Sequence, residues 1–248
     1  MTINFIKLNS AGILTLLSVF GSVILACTKK DTGINPTVNV VTPTPSDTSL
    51  IRYLALGDSY TIGQSVSEAE RFPVQVVDLL STAGYKMAKA EIIATTGWTT
   101  ANLYEAIQTK PVLPAYQLVS LLIGVNNQYQ GLSPDAYRLE FTTLLKASLQ
   151  LAGGNPNRVF VLSIPDYSVT PFAAGSDKQK IASQIDAFNA INLAVSIAHQ
   201  VHYLDITPES RKAAADPSLV ARDGLHFSGK EYRIWALKLA PLMMQSLK

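Results

Sequence analysis

From residue 50 to the C-terminus, five short apolar runs alternate with five longer amphipathic ones. This alternation limits the possible folds more than any other feature of the chain. The runs 51–56, 91–94, 118–124, 159–164 and 202–206 are expected to be strands, and 72–83, 100–108, 134–152, 177–200 and 228–247 helices. Leu118-Val119-Ser120-Leu121-Leu122-Ile123 is apolar on both faces, as a parallel strand covered by helices on each side requires. In the fourth helix Ile181, Ile185, Phe188, Ile191, Leu193 and Val195 should form the apolar face, with Gln184, Asp186, Asn189 and Asn192 between them. Ser133-Pro134 reads as the start of the third helix and Gly153-Gly154 as its stop. The predicted fold is α/β: a three-layer α/β/α, flavodoxin-like domain with about five parallel strands flanked by helices. Ligands of such a fold bind at the carboxyl ends of the strands.

Those ends carry a distinctive set of polar residues. Gly57-Asp58-Ser59-Tyr60 follows the first strand, Thr95-Thr96-Gly97-Trp98 the second and Gly124-Val125-Asn126-Asn127 the third, while Asp223-Gly224-Leu225-His226 precedes the last helix. Acyl transfer needs a hydroxyl activated by an imidazole, a carboxylate that orients the imidazole, and donors aimed at the developing oxyanion. Asp223 and His226 are three residues apart, so one turn can set the carboxylate against Nδ1 and leave Nε2 to face Ser59. Asp58 is expected to fix the turn by local hydrogen bonding. Ser59 alone could equally be a helix N-cap. His199 and His202 flank the amino end of the fifth strand, away from the site, and read as structural or surface residues.

In these four blocks, taken in order, the sequence resembles the SGNH hydrolases, also called GDSL esterases and lipases, over about residue 51 to the end. The resemblance implies that Ser59 is the nucleophile, His226 the general base and Asp223 its orienting carboxylate. It also implies that the Ser59 and Gly97 backbone N–H groups and the Asn126 side chain are the oxyanion donors. The implied function is hydrolysis of carboxylic esters, such as an acylated sugar or a lipid, without cofactor or metal. Tyr60, Asn127 and Phe227 stand where the family commonly has Leu, Asp and Pro. The loop 165–176 is the expected seat of specificity, and Trp98, Tyr129 and Tyr167 are candidates to line an acyl pocket.

Other chemistries fit less well. Ser59 is followed by Tyr60 and Thr61, not the spacing of a Gly-x-Ser-x-Gly elbow, and no phosphate-binding glycine loop opens a helix. A net charge of +2 gives nucleic acid no electrostatic hold. Two alternatives to the esterase stay open: an acyltransferase using the same acyl-enzyme, and a surface carbohydrate-binding protein that no longer turns over.

The N-terminus reads separately. Residues 1–26 combine Lys7 with an apolar or small stretch ending in Ile24-Leu25-Ala26, directly before Cys27, the one cysteine of the chain. This resembles the lipobox of bacterial lipoproteins, with cleavage before Cys27 and lipid attached to it. Residues 27–49, which include Thr42-Pro43-Thr44-Pro45, should form a flexible tether, and 50–248 the catalytic domain. The protein is thus expected on the cell envelope, held to the membrane through Cys27. Replacing Cys27 with Ser should release it from the membrane fraction; retention there would mean that 1–26 is an uncleaved anchor.

Overall fold

The computed structural model describes residues 49–109 and 115–248; the expected signal segment 1–26, Cys27 and nearly all of the expected tether 27–49 lie outside them. The strands are β1 (Tyr53–Gly57), β2 (Glu91–Ala94), β3 (Leu118–Leu122), β4 (Val159–Leu162) and β5 (His202–Leu204). They form one parallel sheet in the order β2-β1-β3-β4-β5. Ala55 faces Ile92 on one side and Ser120 on the other, which sets the register of the three strands that carry the site. This order is that of flavodoxin-like sheets, whose switch point lies between β1 and β3.

The helices are α1 (Ser59–Ile62), α2 (Phe72–Thr82), α3 (Thr100–Thr109), α4 (Val125–Tyr129), α5 (Pro134–Leu151), α6 (Lys178–Ala198), α7 (Thr207–Ser210) and α8 (Gly229–Ser246). Helix α2 packs on α8, and α5 packs on α3 and α6. Strands β1, β3 and β4 are buried along their whole length, as their apolar runs require. Each fully buried leucine among them contributes about 1.5–3 kcal/mol by leaving water. The one polar side chain in the middle of β3, Ser120, is satisfied by the Tyr53 hydroxyl at 2.7 Å.

Helix ends follow the expected chemistry. The Ser133 hydroxyl accepts the Ala136 N–H at 3.3 Å to start α5. Gly153, at φ +68°, stops that helix, and the Gly154 N–H returns to the Leu149 carbonyl. The inner face of α6 differs from the expectation. Leu193 is exposed, whereas Asn189 and Asn192 are buried. Asn189 exchanges hydrogen bonds with the backbone of Ile164, and Asn192 Oδ1 accepts the Tyr137 hydroxyl at 2.8 Å. Partnered amides can replace apolar residues on a buried face, which a hydrophobic pattern cannot register.

Candidate active site

The site begins where β1 ends. A Cβ on Gly57 would lie 2.0 Å from Thr61 Oγ1 and 2.4 Å from the Leu122 carbonyl oxygen, so no larger residue fits this turn. Asp58 then caps α1, its Oδ1 accepting the Tyr60 N–H at 3.0 Å. The cap is therefore Asp58 and not Ser59, which stands as the first residue of the helix. Asp58 is fully buried, and burial pushes its carboxyl up to about 7 against the pull of its backbone hydrogen bonds.

Gly97 follows β2 at φ +85°, a conformation that favours glycine, and no protein atom lies within 4 Å of where its Cβ would be. Beyond β3, Gly124 opens α4, which carries Asn126. One Asn126 amide N–H donates to the Trp98 carbonyl at 2.8 Å, fixing the side chain to the β2 loop. Asn127 braces the same two loops from inside: its Oδ1 accepts the Thr100 N–H at 3.0 Å and its Nδ2 donates to Thr100 Oγ1 at 2.7 Å. Asn127 and Gln128 are both buried, and Gln128 pairs with Gln184 at 2.8 Å. Both therefore serve the interior.

The last loop closes on itself, with the Ala221 N–H on the His226 carbonyl at 2.7 Å and the Ser228 N–H on the Leu219 carbonyl at 2.8 Å. Within it Asp223 Oδ2 lies 2.6 Å from His226 Nδ1, and Asp223 Oδ1 accepts the Leu225 and His226 N–H groups at 3.0 Å each. Ser65 Oγ donates to Oδ2 as well, at 2.7 Å. Burial alone would raise this carboxyl, but the hydrogen bonds from Ser65, Leu225 and His226 together hold it well below the usual carboxylate range. With Nδ1 bound to an ionised carboxylate, the neutral imidazole carries its proton there and keeps Nε2 as the base.

Ser59, Gly97, Asn126 and His226 line a single cavity of about 170 Å³, walled on the far side by Tyr129, Tyr167 and Phe172. Asp223 stands behind His226. The three rings contact one another, with centroids 6.2–6.4 Å apart, and Tyr129 and Phe172 are 63% and 47% exposed. Trp98, expected in this wall, instead offers its carbonyl to Asn126. Arg222 is exposed, and His202 stacks on Phe160 at 4.7 Å at the far edge of the sheet.

The model of the GDSL-like lipase/acylhydrolase family matches residues 55–234, nearly three quarters of the chain. The chain belongs to this family. Its general class is therefore ester hydrolase. Three solved structures share the GDSL fold with it at low identity. A lipase from a goat rumen metagenome is 17% identical with a TM-score of 0.62, covering 77% of this chain and 97% of its own. A lipase/acylhydrolase from Enterococcus faecalis is 16% identical, TM-score 0.58, covering 79% and 97%. The acetylxylan esterase from Geobacillus stearothermophilus is 17% identical, TM-score 0.58, covering 77% and 93%. No curated protein sequence matches the chain.

Two departures from the usual GDSL pattern explain each other. Tyr60 and Phe227 are buried with centroids 5.9 Å apart, and both pack against Trp235. Tyr60 also sets its ring at 66° to His226, 5.6 Å away. These residues support the base from behind. Three residues at the site had no signal of their own in the sequence: Ser65, which reaches Asp223 across 158 positions, Gln64 beside it, and Phe172. Phe172 falls in the loop 165–176, where specificity was expected.

Proposed function

We propose that this GDSL hydrolase is a serine esterase that cleaves neutral carboxylic esters through an acyl-enzyme on Ser59. The observation that carries the reading is the convergence of Ser59, Gly97, Asn126 and His226 on one cavity, with Asp223 hydrogen-bonded to the far nitrogen of the imidazole. Ser59 Oγ attacks the ester carbonyl as His226 Nε2 takes its proton. The oxyanion that forms is met by the Ser59 and Gly97 N–H groups and by the Asn126 amide, which has a second N–H beyond the one given to Trp98. His226 then returns the proton to the leaving alcohol, and the C–O bond to that alcohol breaks. Water, deprotonated by His226, attacks the acyl-enzyme and releases the acid and Ser59.

The cavity wall supports a neutral substrate. Apart from His226, no residue lining it can carry a charge near neutral pH, and four of them, Tyr60, Tyr129, Tyr167 and Phe172, are tyrosine or phenylalanine. Its volume is close to that of an engineered cavity of about 150 Å³ that takes up benzene. A compact acyl group fits inside, and a longer chain or a sugar can run over the exposed rings of Tyr129 and Phe172. An acylated sugar or a lipid ester meets these conditions. An alcohol in place of water would make the same machinery an acyltransferase. A pure carbohydrate binder is disfavoured because it has no use for an Asp-His pair that shares a cavity with a serine. The same reading holds the domain at the cell envelope, which the Cys27→Ser fractionation tests.

Asn126→Ala should lower kcat on a neutral aryl ester by about a hundredfold or more, with KM little changed, because the interaction lost belongs to the transition state. An increase in KM at unchanged kcat would make Asn126 a binding residue and remove it from the oxyanion site.

A further inference from the structure

Helix α1 ends at Gly63, and the two residues after it are tied to the rest of the site in a way the mechanism above does not use. The Gln64 N–H donates to the Ser59 carbonyl at 2.9 Å, so the segment is fastened to the nucleophile's own residue. From there two side chains reach two different loops. Gln64 Oε1 accepts the Thr96 hydroxyl at 2.7 Å, next to Gly97. Ser65 Oγ donates to Asp223 Oδ2 at 2.7 Å, the same oxygen that faces His226 Nδ1.

The backbone of Ser65 adds a second, independent observation. Its φ is +67°, left-handed, where glycine is the usual occupant and other residues bear strain of about 1–3 kcal/mol. Glycine would satisfy the backbone at this position but would leave Asp223 without the donor. The serine thus sits in a glycine's conformation with its hydroxyl on the site's carboxylate.

We infer that Gln64 and Ser65 are positioning residues: a clasp, built on the nucleophile's turn, that holds the orienting carboxylate through Ser65 and the Gly97 loop through Gln64. The inference rests on the catalytic roles proposed above for Ser59, Asp223 and His226. Physically, Ser65 takes up part of the charge on Oδ2 and fixes the plane of the carboxylate. Without it, Oδ2 keeps His226 as its remaining side-chain donor and pulls harder on the imidazole proton. The titratable and charged groups near the pair include Tyr60 from α1 and the buried Asp58 that caps that helix, Tyr232 from α8 and, next to Asp223 in the chain, the exposed Arg222. The substitutions below leave them in place.

The test uses the full-length protein and four variants, with kcat, KM and the pH profile of kcat/KM measured on a neutral aryl ester. Ser65→Gly accepts the left-handed backbone and removes the hydroxymethyl group of an exposed residue, so its thermal melt should stay cooperative. Its kcat should fall about tenfold at nearly constant KM, and the acid limb should move to higher pH, since the base now holds its proton more tightly. Ser65→Asn, which tolerates this backbone and carries an N–H donor, should recover part of the loss. Gln64→Ala should lower kcat several-fold without moving the acid limb. Wild-type kcat and pH profile in Ser65→Gly, loss of its cooperative melt, or an acid limb moved equally by both positions would each overturn the clasp. Ser59→Ala separates the two levels of inference: if it stays active, the catalytic reading itself fails, whereas an inactive Ser59→Ala beside an unaltered Ser65→Gly refutes the clasp alone.

Discussion

Ser59→Ala is expected to reduce ester turnover by at least about a thousandfold, the scale of loss when a nucleophile is removed from an otherwise complete site. The fold should be untouched. Ser59 is the first residue of α1, but the capping there is done by Asp58 through the Tyr60 N–H, so alanine removes no cap. Alanine is also the residue best suited to a helix, and it leaves only a hydroxyl-sized gap beside a cavity that already exists. A stopped-flow or plate assay on a chromogenic acetate ester, paired with a thermal melt, separates the two effects. A variant that melts like the wild type and hydrolyses at least a tenth as fast would remove Ser59 from the chemistry.

Asp223→Asn should be nearly as damaging, with a loss of about a thousandfold in kcat, because it reverses a proton rather than deleting a shape. In the native site Oδ1 accepts two backbone N–H groups and Oδ2 accepts from Ser65 and His226. Asparagine can keep the first pair with its carbonyl, but its NH₂ then faces His226 Nδ1 as a donor. The imidazole must accept there and carry its proton on Nε2, the nitrogen that should act as base. The pH dependence sharpens this prediction. Asp223 is held well below the usual carboxylate range, so it stays ionised as acid is added and its own protonation does not set the acid limb of the wild-type profile. Single-turnover kinetics should show slow acylation in Asp223→Asn at every pH. Recovery of wild-type rates at high pH would contradict the tautomer argument.

Much of this architecture could be read from the sequence, and what could not follows a physical pattern. The strand and long-helix interiors were legible because burial imposes a period, and β2 falls on the expected residues 91–94. Strand ends ran short of expectation: β3 stops at Leu122, since Gly124 already caps α4. Helices α1, α4 and α7 have four or five residues each, fewer than a hydrophobic period needs to declare itself. Yet α1 and α4 carry Ser59 and Asn126. Those two side chains were found through the motif blocks at the strand ends, which say which residues matter without saying what backbone holds them. Ser65 had neither signal. Its partner is 158 residues away and its left-handed φ is invisible in a chain of letters, so the contact exists only once the sheet brings the first and last loops together. Tyr60 and Phe227 depart from the family's usual residues; in three dimensions they are packing partners beside the base, with Tyr60 also lining the cavity.

The account stands most directly on a covalent bond at Ser59. An alkyl phosphonate with an aryl leaving group, incubated with the full-length protein, should phosphonylate one residue stoichiometrically and abolish ester hydrolysis in step. After digestion and mass spectrometry, the account predicts a single adduct on Ser59, absent from Ser59→Ala and formed far more slowly in Asp223→Asn. Stoichiometric labelling at another residue, or loss of activity with Ser59 unmodified, would contradict it.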